Sequence, residues 1–405
     1  MITPEKQFYI FGMGHREKFL YKDGVLFNVK TNEKVFSWDV LREKFLYDRY
    51  MVVLWTVDER VFLIEENEHG LYVSEITNEK RENSVCLASS EINLPDFEEC
   101  KYSAQLRILH QEVLTSFIGN EPVPNIYVYD KAWYRDGAMM ALVLEKTGNI
   151  DLLRDWALSL TELYDMNNKG NKEPDNLGQL AFVLSFFVDK NHPMIGKIIR
   201  EAKAIMNDGL LTGLTDYNHH EIYATLWLKY GFERLGIDTS FIKIPEKFDS
   251  YARMFWMNKK EVERTTPYEN KYDEWYPYLW WAVKHFENEP IDEKYFEIKY
   301  PMSWEIDASQ AKYPDIFEHG LQYAGVQSLS ASSVDLRVLA RVSEANIYKG
   351  RRLLNREMKI AFDEANNVFN PSISPKEISL KFSSTFGSKP NSSPIISAVS
   401  FALIR

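Results

Sequence analysis

Cysteine is almost absent from this 405-residue chain, where Cys86 and Cys100 are the only two. That scarcity excludes a disulfide framework and points to a reduced, intracellular setting. Basic charge is also short. Lys and Arg number 48 against 59 Asp and Glu, a net charge of -11, so the average field repels polyanions and argues against a nucleic-acid partner. No run reaches the roughly 18 to 20 apolar residues that a membrane span requires. The opening MITPEKQFYIFGMGHREKF lacks the basic start and apolar stretch of a secretory signal. The expectation is a soluble, cytoplasmic protein with no membrane partner.

Several chemical signatures are missing too. In FGMGHRE, Gly12 and Gly14 are spaced as in a dinucleotide fingerprint, but Glu17 stands where the third glycine belongs, so the segment reads as a turn. No H-E-x-x-H accompanies His219-His220, and the chain has no Asp-Asp pair for a metal box. No metal or organic cofactor is called for.

What is plentiful is apolar and aromatic: 45% of residues are hydrophobic and 14% are Phe, Trp or Tyr. The chain can therefore bury a large core, and flat rings also suit a carbohydrate pocket. Residues 1–98 read as a small β-domain. Short apolar runs are broken at Asp23-Gly24, Thr31-Asn32, Asp58-Glu59 and near His69-Gly70, which are hairpin turn signals.

From residue 99 the period becomes helical. KYSAQLRILHQEVLTSFI, IDLLRDWALSLTEL and MIGKIIREAKAIM are amphipathic, whereas AMMALVLEK, LGQLAFVLSFFV, IYATLWLKY and YLWWAVKHF are apolar nearly all round. An amphipathic helix lies at a surface and a uniformly apolar one is buried. Their alternation predicts an outer ring of helices around an inner ring: a mainly α fold, an (α/α)6 toroid of helical hairpins over residues 99–320. The tail, 321–405, holds 11 Lys or Arg, 6 Asp or Glu and 15 Ser, and is expected to supply the last hairpins.

Each expected inner helix follows a polar, aromatic cluster: WYRDG at 133, EPDN at 173, TDYNHHE at 215 and YDEWYP at 272, with a fifth in YPMSWEIDASQAKYP at 300. If these loops share one face of the ring they converge at its mouth, where helix N-termini present unpaired N–H groups and the positive end of the dipole. Trp133, Arg135 and Asp136 in WYRDGAMMALVLEKTGN resemble the W-x-R-D element of the six-hairpin glycosidase superfamily. That likeness implies an (α/α)6 toroid that hydrolyses glycosidic bonds, with Arg135 and Asp136 holding hydroxyls of the terminal sugar.

Glycoside hydrolysis uses two carboxyls across the scissile bond, one donating a proton and one activating water or attacking. Asp216 and Glu221 are the candidates for the acid, and Glu305 for the base, with Asp307 second. Binding contacts are expected from Trp133, Tyr134, Arg135, Asp136, Asp175, Asp273, Glu274, Trp275 and Trp304. Glu173, beside Asp175 across Pro174, reads as part of a capping segment. A carbohydrate is the expected partner. Two alternatives stay open: a sugar epimerase using His219 or His220 as acid and base, and a non-catalytic glycan-binding protein.

Overall fold

A computed structural model describes residues 8–95, 107, 110–111, 113–124, 126 and 131–245. Residues 8–89 fold as two antiparallel meanders. One sheet runs β1 (Phe8–Phe11), β2 (Phe19–Lys22), β3 (Val25–Asn28), β4 (Lys34–Ser37); the other runs β5 (Val40–Leu46), β6 (Met51–Thr56), β7 (Val61–Asn67), β8 (Gly70–Thr77), β9 (Lys80–Ser89). Turn chemistry sets the register. Lys22 faces Val25 across Asp23-Gly24, whose φ values of 50° and 74° are those of a two-residue type I′ turn. A side chain on Gly24 would meet the Trp38 carbonyl oxygen at 2.6 Å, so only glycine fits.

Short hairpins and helices follow. The strands β10 (Phe117–Ile118) and β11 (Glu121–Pro122) pair, then come α1 (Tyr134–Lys146), α2 (Arg154–Ser159), α3 (Asp175–Leu184) and α4 (Pro193–Ile205). The pairs β12 (Met206–Asn207) with β13 (Leu210–Leu211) and β14 (Leu214–Thr215) with β15 (Asn218–His219) precede α5 (Glu221–Arg234). The three apolar segments form α1, α3 and α5, and these pack as a row: α3 touches both α1 and α5. Gly178 and Gly231 allow a very close α3–α5 approach, since a Cβ on Gly178 would lie 2.2 Å from the Leu228 backbone nitrogen.

The expectation of a mainly α (α/α)6 toroid is overturned. Among the described residues the architecture is a nine-stranded antiparallel region followed by a few helices. Periodicity reports which face of a helix is buried but not what buries it. Here the sheets do part of that work. One hydrophobic core runs from Leu20, Val52, Leu54 and Ile64 on strands to Leu144, Leu177, Phe182 and Trp227 on helices. Polar seams join the same layers: Asn93 N–H donates to Asn149 Oδ1 at 2.7 Å, and Gly14 N–H donates to the Leu114 carbonyl at 2.7 Å. A separate patch of Met51, Val53 and Leu63 is buried on the other face of the five-stranded sheet.

No described helix is long and apolar enough to cross a membrane. Cys86 is an exposed free thiol. The YLWWAVKHF segment, the polar clusters at 272 and 300, and the tail 321–405 lie outside the described residues.

Candidate functional site

The helix α1 begins without help from its own cap residue, Trp133, whose side chain makes no capping bond. Its cap comes from 31 residues downstream: Asp165 Oδ2 accepts the Tyr134 N–H at 2.8 Å, while Asn167 Nδ2 donates to the Ala132 carbonyl at 2.8 Å. That docking brings the segment 165–176 across the start of α1 and sets its charges beside Arg135.

Arg135 is the hub. Its Nε donates to Asp175 Oδ2 at 2.9 Å and its Nη1 to Asp216 Oδ2 at 2.5 Å, and its Nη2 lies 3.2 Å from Glu173 Oε1. The side chains of Arg135, Glu173 and Asp175 are 3%, 3% and 0% exposed, and Asp216 keeps 12%. One cation thus meets three carboxylates delivered by two separate segments, 173–175 and the hairpin at 214–219. Burial opposes the Arg135 charge, but Asp175, Asp216 and Glu173 outweigh it and hold the guanidinium protonated. The carboxylates at the first turns of α1 and α3 also sit at positive dipole ends, which favour them.

Further hydrogen bonds fix Asp175 and Glu173. Asp175 Oδ2 also accepts from Gln179 Nε2 at 2.8 Å, and its Oδ1 accepts from the Thr215 hydroxyl at 3.1 Å. Glu173 Oε1 accepts the Asp216 backbone N–H at 2.6 Å and Asn168 Nδ2 at 3.1 Å. Burial raises the Glu173 pKa above its ordinary value; Arg135 opposes this, while Asp175 and Asp216 add to it.

The hairpin β14–β15 places Asp216. Thr215 faces Asn218 across Asp216-Tyr217, with φ values of 48° and 67°. This is the same turn class as Asp23-Gly24, occupied by an aspartate and an aromatic instead of the favoured Asn-Gly pair. Left-handed backbone costs a residue with a Cβ about 1–2 kcal/mol. The facing loop is also left-handed at Met166, Lys169 and Gly170. Strain of this kind gathers where position matters more than stability.

The remaining expected residues fall as follows. Trp133 is half-buried at the start of α1, and Tyr134 is buried with its hydroxyl donating to the Glu162 carbonyl at 2.9 Å. Asp136 is fully buried in the first turn of α1. Glu221 does not join Arg135; its Oε1 lies 2.7 Å from Nδ1 of the exposed His219. His220 is largely buried, and burial pushes its pKa down to about 4 despite the opposing pull of Asp216. Asp273, Glu274, Trp275, Trp304, Glu305 and Asp307 lie outside the described residues. The structure therefore joins three of the sequence clusters, through Arg135, Asp175 and Asp216. It adds Glu173, Asn168, Gln179 and Thr215. Glu173 had a visible signal, a second acid two residues from Asp175, but its capping-like context hid it.

Among the described residues no group of three or more His, Cys, Asp or Glu is arranged to hold a metal ion. No protein-family model, curated protein or solved structure matches the chain. The likeness to glycosidases rests on Trp133, Arg135 and Asp136 alone.

Proposed function

We propose that the chain is a glycoside hydrolase acting on a small glycan, with the sugar held at the outer edge of the Arg135 cluster. One observation carries this reading. Two segments some forty residues apart, 173–175 and 214–219, bring three carboxylates to one buried guanidinium, and Asp216, the most exposed of them, stands next to an exposed aromatic ring, Tyr217. Such a pairing of a hydroxyl acceptor with a flat apolar face fits a sugar.

Within this reading the roles shift from those drawn from sequence. An ion pair with arginine suits a carboxylate that takes a proton better than one that gives it. Asp216 therefore activates water, and Arg135, braced by Asp175, fixes its direction. Glu221 is an outer residue paired with His219. Glu305 becomes the candidate acid and lies outside the described residues. The epimerase alternative is weakened: His220, with its pKa near 4, is a poor base at neutral pH, and His219 is tied to Glu221 at the surface. The closure of Arg135, Glu173 and Asp175 from solvent favours a second reading, a glycan-binding protein in which the cluster is purely a brace.

A screen of aryl glycosides separates the two. The hydrolase reading expects aryl alcohol release from at least one anomer by the wild type, and a loss of about 10² to 10⁴-fold in kcat for Asp216→Asn. Complete inertness of the wild type hands the case to the binding protein, whereas full activity in Asp216→Asn keeps the hydrolase and removes Asp216 as its base.

A further inference from the structure

Tyr217 is an odd residue to find where it stands. It is a large aromatic, 52% exposed, yet it is not loosely held. Its backbone is left-handed at φ 67°, a region that a bulky side chain rarely enters. Its hydroxyl donates to Asn168 Oδ1 at 2.6 Å, and Asn168 Nδ2 in turn donates to Glu173 Oε1 at 3.1 Å. Glu173 also takes the N–H of Asp216, the neighbouring turn residue, at 2.6 Å. Both turn residues are thus fastened to the buried cluster, one through its backbone and one through its hydroxyl. The Lys169 ammonium lies 5.3 Å from the ring centroid, a cation–π contact that engages the ring from the opposite loop.

The hydroxyl bond and the cation–π contact return only part of that backbone cost, which a glycine in its place would remove. The ring gains as a surface that must be present in one orientation before a ligand arrives. The geometry points to Tyr217 as a preformed platform for the apolar C–H face of a pyranose ring, with Asp216 beside it accepting that sugar's hydroxyls. This deepens the proposed function and rests on the same site. It also narrows the ligand to a sugar with several axial hydrogens on one face.

The test is a ligand-observed NMR titration of the full chain with the methyl α- and β-pyranosides of glucose, galactose, mannose and N-acetylglucosamine, run beside the aryl glycoside assay. The wild type is expected to bind at least one, with saturation transfer strongest at the ring C–H protons. Tyr217→Phe and Tyr217→Trp, which keep a flat ring but lose the hydroxyl bond to Asn168, should weaken binding by no more than about threefold, with Lys169 still engaging the ring, and Tyr217→Ala should weaken it at least about tenfold. Circular dichroism of each variant verifies that it is folded. If Tyr217→Ala binds as well as the wild type, or if Tyr217→Phe is as weak as Tyr217→Ala, the platform is wrong while the sugar site stands. If the wild type binds no pyranoside, the platform is also wrong, and aryl glycoside turnover then decides hydrolysis independently.

Discussion

Among the described residues two arginines, Arg16 and Arg135, are buried, and they are held in opposite ways. Arg16, between β1 and β2, spends all five N–H donors on fixed acceptors: the Ser90 hydroxyl, the Glu66 carboxylate, and the carbonyls of Asn67, Glu68 and Ser90. Its one acid, Glu66, also accepts the N–H groups of Gly12 and Met13 at 2.9 and 2.6 Å. Lys18 adds a second buried cation, bonded to the carbonyls of Gly12 and Gly14. The Arg16 site is closed and short of negative charge. The Arg135 site has three acids for one base, strained loops beside it and an edge at the surface. One arrangement locks a loop to a sheet; the other keeps charge in reserve near solvent. Burial of an ion pair therefore does not by itself mark a site, but imbalance together with strain and access does.

The widest test of that contrast is removal of each arginine. Arg16→Met and Arg135→Met should each destabilise by about 3–5 kcal/mol, because each strands carboxylate charge in the interior. Urea unfolding measures this. Only Arg135→Met, refolded at low temperature, should also lose glycoside binding; equal loss in both would erase the distinction.

Protonation should sharpen it next, because the two sites tilt stability in opposite directions. Burial, with Glu66 opposing and Arg16 assisting, pushes Lys18 from 10.5 down to about 7. The folded state then sheds a proton that the unfolded chain keeps, so stability rises with pH above 7, by about 1.4 kcal/mol per pH unit at its steepest. Glu173 is displaced upward; its proton favours the fold at low pH, and that support is lost as pH rises above 4.5 through the folded value. Unfolding free energies over pH 4 to 9 should show the low-pH decline vanish in Glu173→Gln and the rise vanish in Lys18→Met.

The smallest effect compares the two type I′ turns. Tyr217→Gly should stabilise by about 1 kcal/mol, less the lost hydroxyl bond, as the left-handed strain is relieved. Gly24→Ala, in the unstrained turn, should destabilise by a similar or larger amount. A fall in stability for both would mean that Tyr217 carries no strain worth relieving.

Much of the β-region was legible because turns are local. Asp23-Gly24 announced its hairpin by composition alone. Yet TNEK occurs twice and behaves differently. At 77–80 it closes a two-residue turn, Thr77 facing Lys80 with Asn78 and Glu79 at φ 49° and 62°. At 31–34 only Asn32 is left-handed, and Asn28 Oδ1 gathers the N–H groups of Lys30 and Thr31. The flanking register decides, and that is not in the tetrapeptide. The helices α1, α3 and α5 were readable from their apolar runs; the expectation of a ring around them failed, because the partner that covers a helix is a long-range property. For the site, Arg135 and Asp175 were visible as polar residues at helix starts, and Asp216 as an acid in the polar loop ahead of α5. Asn168 was hidden, since a loop asparagine gains its importance only from the two neighbours that folding brings to it.

The cap on α1 has a consequence in time. Everything that completes the start of this helix lies downstream of it: Asp165 for its first N–H, then Glu173, Asp175 and finally Asp216 for its guanidinium. As the chain leaves the ribosome, α1 emerges with an open end and an unanswered cation, and it stays so until the hairpin at 214–219 has been synthesised. The start of α1 can therefore be completed only once Asp216, 81 residues beyond Arg135, is in the chain.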